Sequence, residues 1–302
     1  MMKIAITGGT GFVGRALTEE LLKHQHEVMI LTRNPDKYEA RPGVTYVKWL
    51  SDGARPEEML EGIHAFINLA GESINSGRWT DERKKRIINS RINSTREVST
   101  IIKALREKPS CLINASAIGY YPSSKTNTYT EASTETADNF LGETVQIWEK
   151  EAAKAAQIGI RVAYTRFGII LGKDEGALPR IALPYKMFVG GTVGSGEQWM
   201  AWVHIKDIAR AVHFVAETEG IEGPVNVTAP SPVTMKEFGK TLGTVIERPH
   251  WILVPSLALK VAMGEMSALV LEGQRVLPAV LSEHGFQFQF PELKSALMDI
   301  YK

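Results

Sequence analysis

The sequence predicts an α/β protein built on a doubly wound parallel sheet, with a smaller, mainly C-terminal substrate lobe. Three observations predict it. Up to Leu171, short apolar runs alternate with helically spaced apolar residues. The first run ends in a glycine-rich loop that opens a helix. From Gly172 to Trp202 the alternation breaks into Gly-, Pro- and aromatic-rich sequence. Runs of this length alternating with helical patterns mark βαβ units, and those give parallel sheets.

The elements follow in order. Lys3 to Thr7 is an apolar run that stops at glycines and reads as a buried parallel strand. Phe12 to Lys23 has helical spacing, with Val13, Ala16, Leu17, Leu21 and Leu22 on one face. Glu27–Thr32 reads as the second strand, and Val44 to Trp49 and His64 to Ala70 as the third and fourth. Helical segments lie near Asp81 to Arg106 and Asp138 to Gln157, with strands at Cys111 to Ala117 and Ile160 to Phe167. His204 to Glu217 returns to a helix, and the tail from Gly223 carries a short strand, a helix from Thr234 and Pro-punctuated segments. These elements give a sheet domain over residues 1–171 and 203–220. A lobe over 172–202 and 221–302 is interleaved with it rather than tethered.

Composition narrows the function. The chain has 302 residues, enough for two domains or one core with a lobe at roughly 150 residues per domain. Lys and Arg number 35 against 34 Asp and Glu, a net charge of +1 that argues against nucleic acid or a membrane surface as partner. One cysteine, Cys111, excludes an internal disulfide and a Cys-based zinc cage. The seven histidines show no HExxH or similar spacing, so the expectation is no metal site. No apolar stretch approaches the ~18–20 residues of a spanning helix, and the first residues enter a strand without a secretory pattern. The expected setting is cytoplasmic and the expected partner a small molecule.

Thr7-Gly8-Gly9-Thr10-Gly11-Phe12-Val13-Gly14 carries the sharpest chemistry. The pyrophosphate of a dinucleotide needs close backbone approach and free N–H groups at a helix N-terminus, and glycines at 8, 11 and 14 remove the Cβ atoms in the way. The second strand ends Leu31-Thr32-Arg33-Asn34. An acidic residue here would bind ribose hydroxyls, whereas Arg33, with Lys37 near it, suits the 2′-phosphate of NADP. The predicted cofactor is NADP(H).

The glycine string resembles that of the extended short-chain dehydrogenase/reductases, a Rossmann-fold class that includes sugar-nucleotide epimerases. Asn68-Leu69-Ala70-Gly71, Asn93-Ser94-Thr95, Ala115-Ser116-Ala117-Ile118-Gly119-Tyr120 and Trp202-Val203-His204-Ile205-Lys206-Asp207 resemble its later motifs. Ser90-Arg91-Ile92-Asn93, Gly196-Glu197-Gln198-Trp199-Met200 and Gln274-Arg275-Val276-Leu277-Pro278 look like its atypical "epimerase family" branch with a C-terminal domain of unknown function. The resemblance implies that Leu69, Ala70 and Gly71 lie beside the adenosine, that Arg91 faces a phosphate or carboxylate, and that the backbone at Phe167 and Gly168 approaches the nicotinamide. It also implies a catalytic serine at Ser116.

The class works with a Tyr-x-x-x-Lys pair on one helix face. Here the matching helix, read from Asp138 to Glu149, puts Leu141 and Val145 in those places. The literal match Tyr121-Pro122-Ser123-Ser124-Lys125 follows Ser116 too closely and runs through a loop. Tyr120 or Tyr121 is then the expected proton donor beside Ser116; Glu143 or Glu149 could substitute, though a charge on that helix is more often solvated. Trp79, Trp199, Met200 and Trp202 line a pocket or pack a lobe interface. The stripe near Leu257 to Met266 packs the lobe or joins two copies into a homodimer. The expected function is an NADP-dependent oxidoreductase or epimerase-like enzyme. The alternative is a catalytically silent NADP(H)-binding sensor or interaction protein.

Overall fold

A computed structural model describes all residues from 1 to 302. The first half runs β1 (Lys3–Thr7), α1 (Phe12–Lys23), β2 (Glu27–Thr32), β3 (Val44–Lys48), β4 (Ala65–Asn68), α2 (Asp81–Ala104), β5 (Cys111–Ala117), β6 (Thr128–Tyr129) and α3 (Phe140–Ala153). The chain continues with β7 (Arg161–Phe167), β8 (Ile169–Leu171), α4 (Leu178–Lys186), β9 (Gly191–Val193), β10 (Trp199–Met200), β11 (Trp202–His204), α5 (Ile205–Glu217) and β12 (Gly223–Val227). It ends with β13 (Val233–Thr234), α6 (Met235–Val245), β14 (Ile252–Val254), α7 (Ser256–Met263), α8 (Ala268–Leu271), β15 (Arg275–Val276), α9 (Ala279–Glu283) and α10 (Leu293–Tyr301).

Seven parallel strands form the central sheet in the order β12-β7-β5-β4-β1-β2-β3. The alternation of side chains along each strand feeds two cores, one on each face. Ile4 and Ile6 of β1 pack with Leu17, Leu21, Ile208 and Val212 from α1 and α5. Ala5, between them, faces Val98, Ile101 and Ile102 of α2 on the other side. This is why the strands read as continuous apolar runs rather than alternating ones. A third core, around Tyr185, Trp202, Phe238, Leu242 and Leu297, builds the lobe from α4, α6 and α10. No helix is long and apolar enough to cross a membrane.

The sheet redraws one boundary. Dividing the chain at residue 221 assigns Gly223–Val227 to the lobe, but this strand pairs with β7 as the edge of the central sheet. Val225 and Val227 belong to the same core as β1 and α5. A five-residue strand followed by lobe sequence carries no local sign of which sheet it joins.

The strand order reverses between β1 and β4, and the carboxyl ends of the strands at such a point are where doubly wound sheets take ligands.

Candidate cofactor and substrate site

The glycine loop is shaped by contacts that only glycine permits. Gly8 has φ of +68°, and a Cβ on it would press on the Leu69 carbonyl oxygen at 2.8 Å. A Cβ on Gly14 would land on the Gly8 carbonyl and the Gly9 backbone, so α1 begins flush against the loop. Gly11 is the N-cap of α1 and offers no side chain to its first turn. The N–H groups of Phe12, Val13 and Gly14 are therefore left for a ligand, with the positive end of the helix behind them. Thr10 closes the loop, its carbonyl oxygen accepting from Arg15 Nη1 at 2.7 Å. A cradle that a Cβ would fill and an uncapped helix N-terminus fit a dinucleotide pyrophosphate.

The loop has a cover that the sequence did not reveal. Arg15 also forms an ion pair with Glu175. Between β8 and α4, Gly172 and Gly176 lie so close to the Phe12 ring that a side chain on either would meet it. The segment after β8 is thereby folded onto the glycine loop.

Arg33 stands just beyond the end of β2, exposed, with Lys37 exposed in the turn after it. Leu69, Ala70 and Gly71 leave β4, and the Leu69 N–H donates to the Thr7 carbonyl at 3.1 Å. Beneath them, a buried chain of hydrogen bonds joins Thr7, Asn68, Asn114 and Thr95 across β1, β4, β5 and α2. Arg91 is turned inward. Its guanidinium lies 4.9 Å from the Trp148 ring centroid and donates to the carbonyls of Glu72 and Ile87 at 3.1 and 3.0 Å. Burial lowers its pKa to about 10, which leaves it charged. Arg91 thus anchors the turn at Gly71 and Glu72. Phe167 sits in register between Ala117 and Val227, the Gly168 N–H donates to the Val227 carbonyl at 3.0 Å, and a side chain on Gly168 would meet the Ala201 carbonyl.

On the α3 side the structure brings together residues that sequence reasoning kept apart. Ser116 is 3% exposed, and its hydroxyl donates to Glu149 Oε1 at 2.6 Å. Glu149 is buried, not solvated as expected, and accepts two hydrogen bonds from Arg166, at 2.8 and 2.7 Å. Arg166 also donates to the Tyr121 hydroxyl at 2.8 Å and lies 3.5 Å from the centroid of the Tyr120 ring. Burial opposes the Arg166 charge, but the paired Glu149 more than offsets it and holds the guanidinium above its ordinary value. A planar guanidinium forked onto a carboxylate is the arrangement that justifies burying both. The strand pattern around Arg166, an arginine inside an otherwise buried apolar run, was the available signal.

Tyr121 is fully buried, and besides the Arg166 contact its hydroxyl donates to Asn226 Oδ1 at 2.9 Å. Burial pushes its pKa up. The structure places it in packing. Lys125 turns outward to Glu197 at 2.6 Å, so Tyr121 and Lys125 share no helix face. Tyr120 is half-buried.

Leu141 and Val145 occupy one face of α3. Leu141 packs against Gly119, its Cβ 3.5 Å from where a Cβ there would stand, and Val145 is buried. Neither a phenol nor an ammonium group lies on that face. An open cavity of about 490 Å³ adjoins it, lined by Trp79, Phe140, Leu141, Lys260, Glu265 and Leu271 among others. Lys84 pairs with Glu265 and thus ties the roof of the cavity to α2. Of the other tryptophans, Trp202 is enclosed in the lobe core and Trp199 lies under Arg275. His204 is buried as the N-cap of α5.

Residues 4–228 match the NAD dependent epimerase/dehydratase family. The chain belongs to that family. Residues 254–300 match a domain of unknown function. The epimerase family protein YfhF of Bacillus subtilis is 49% identical over 99% of this chain and 98% of its own length. A Staphylococcus aureus epimerase family protein, SAR0825, is 41% identical over 99% of both chains. Among solved structures, human epimerase family protein SDR39U1 with NADPH superposes with a TM-score of 0.86 and 31% identity, covering 99% of each chain. A UDP-glucuronic acid 4-epimerase from Bacillus cereus, with UDP-glucuronic acid and NAD, shares the fold at a TM-score of 0.78 and 16% identity over 99% and 98% of the chains.

Proposed function

We propose that the protein is an NADP(H)-dependent oxidoreductase or epimerase-like enzyme acting on a small or nucleotide-linked substrate. The observation that carries this reading is the glycine cradle at the N-terminus of α1, and two further features support it. They are the exposed Arg33 at the end of β2 and the cavity beside Leu141. NADP(H) bound there would supply or accept a hydride at a substrate carbon. Gly8, Gly11 and Gly14 hold the pyrophosphate, Thr10 and the first turn of α1 offer backbone donors, and Arg33 receives the 2′-phosphate. Leu69, Ala70 and Gly71 form the adenosine wall, and Phe167 and Gly168 the nicotinamide end. The human relative solved with NADPH favours the phosphorylated cofactor, at 31% identity over nearly the whole chain.

Proton transfer falls to Tyr120. In the wider class a lysine places positive charge beside the catalytic phenol. Here Leu141 and Val145 remove that pair, and Arg166 places a guanidinium 3.5 Å from the Tyr120 ring instead. On reduction of a carbonyl, the Tyr120 hydroxyl gives its proton to the new alkoxide and recovers one from solvent. Ser116, bonded to Glu149, positions Arg166 through that carboxylate and orders the end of β5.

The second reading is a silent NADP(H)-binding sensor, and the apolar Leu141–Val145 face is what favours it. Wild type and Tyr120→Phe should be assayed by NADPH absorbance against a panel of aldehydes, ketones and nucleotide sugars. The enzyme reading expects turnover with at least one compound, lost in Tyr120→Phe while NADPH still binds. NADPH binding without turnover on any compound supports the sensor.

A further inference from the structure

The amino-terminal edge of the sheet, opposite the candidate cofactor site, holds a cluster that the proposed function leaves unused. Three imidazoles and two carboxylates meet where α1 ends against the last turns of α5. Glu20 and His24 lie one turn apart at the end of α1, 3.4 Å between Oε1 and Nε2. His213 and Glu217 lie one turn apart on α5, 3.3 Å between Nε2 and Oε1. His26, just before β2, sets its Nε2 only 2.8 Å from the Nε2 of His213. The rings of His24 and His213 approach to 4.6 Å between centroids. His213 and His26 are 4% and 6% exposed.

The hydrogen bonds settle where the protons are. The Met2 N–H donates to His26 Nδ1 at 3.0 Å, so neutral His26 carries its proton on Nε2. That proton points at His213 Nε2, which must accept it. His213 therefore presents a bare nitrogen lone pair, and His26 presents none.

We propose that Glu20, His24 and His213 bind one divalent transition-metal ion of the zinc class, in a site separate from the candidate cofactor site. One donor atom from each of the three lies within 4.8 Å of the others. That spacing needs little adjustment to surround an ion with bonds of about 2.0–2.2 Å. Two imidazoles and one carboxylate suit zinc, nickel or copper better than calcium or magnesium. His26 and Glu217 form the outer layer. As the metal takes the His213 lone pair, the His26 Nε2–H turns to Glu217 Oε1, 3.5 Å away in the structure. No proton leaves the site in that exchange. A second grouping, His26, His213 and Glu217, has equally close atoms, but ligation by His26 Nε2 would break its bond from Met2. Sequence spacing missed the site because its ligands come from two helices at distant points in the chain.

The test uses the full-length, untagged protein freed of metal with a chelator, titrated with Co²⁺ by visible absorption and with Zn²⁺ by calorimetry. The expected result is one ion per chain, Zn²⁺ displacing Co²⁺. Affinity should fall by at least about tenfold in His24→Ala and in Glu20→Gln, as removing a metal's supporting groups ordinarily does. At the end of α1, His24 is exposed and Glu20 is half-buried, and neither belongs to a hydrophobic core, so these variants should fold. Equal melting temperatures without metal and unchanged NADPH titration would show that they do. Absence of a saturable site, or affinity undiminished in His24→Ala, overturns the proposal.

Discussion

The two walls of the candidate site are built on opposite plans. On the β1–α1 wall, polar groups are left uncommitted. The first turn of α1 has no cap, Arg33 is exposed, and the backbone is held in a shape that only glycines at 8 and 14 allow. On the α3 wall, nearly every polar side chain is already partnered. Ser116 donates a hydrogen bond to Glu149, Glu149 accepts two from Arg166, and Arg166 and Asn226 share the Tyr121 hydroxyl. The first wall leaves its donors free and the second is closed on itself. Under the proposed function, chemistry on the second wall would fall to what the network leaves free, which is Tyr120.

The largest expected effect comes from breaking the closed wall. Glu149→Ala strands the Arg166 guanidinium in the interior and should cost about 3–5 kcal/mol of unfolding free energy in urea. A loss under 1 kcal/mol would mean that Arg166 finds water or another partner. On the open wall, Gly14→Ala forces a Cβ into the Gly8 carbonyl. It should cost about 1–3 kcal/mol and remove the rise in melting temperature on adding NADPH. If the shift persists, the cofactor does not use this loop.

A pH titration probes burial away from both walls. His204 accepts from the Lys206 N–H through Nδ1 at 3.1 Å, so its own proton sits on Nε2. That atom has no hydrogen-bond partner, although Asp299 Oδ2 lies 3.3 Å away. Burial lowers its pKa from 6.5 to about 4 despite that carboxylate. The unfolded chain binds the proton first, so this contribution is complete above pH 6.5 and is lost as the pH falls towards 4. The expected slope is at most about 1.4 kcal/mol per pH unit, and it should flatten in His204→Asn. The smallest functional effect is expected of Tyr121→Phe. It removes two hydrogen bonds, costs about 1–3 kcal/mol, and should leave NADPH titration and any turnover unchanged. Loss of turnover there would move proton transfer from Tyr120 to Tyr121.

What was legible in the sequence is what is local. The glycine loop, the strand before it and the helix after it lie within a few residues, and their shape follows from backbone sterics. Leu141 and Val145 could be placed because a helix fixes which residues share a face. Glu149 could not. An isolated glutamate on a helix is solvated by default, and only the fold sets it against Arg166 on β7. The edge strand β12 and the His24–His213 cluster were hidden for the same reason. Each depends on which distant segments the sheet brings side by side.

Under the proposed function, the open wall holds NADP(H) through its loop and Arg33. The most direct test is titration of wild type and Arg33→Ala with NADPH and NADH, followed by tryptophan fluorescence and melting temperature. Wild type should bind NADPH more tightly than NADH. NADPH at 100 times its Kd should add about 2.7 kcal/mol of stability. In Arg33→Ala, NADPH should fall to the affinity of NADH, with NADH unchanged. Equal binding of both by wild type would contradict the role of Arg33, and binding of neither would contradict the site.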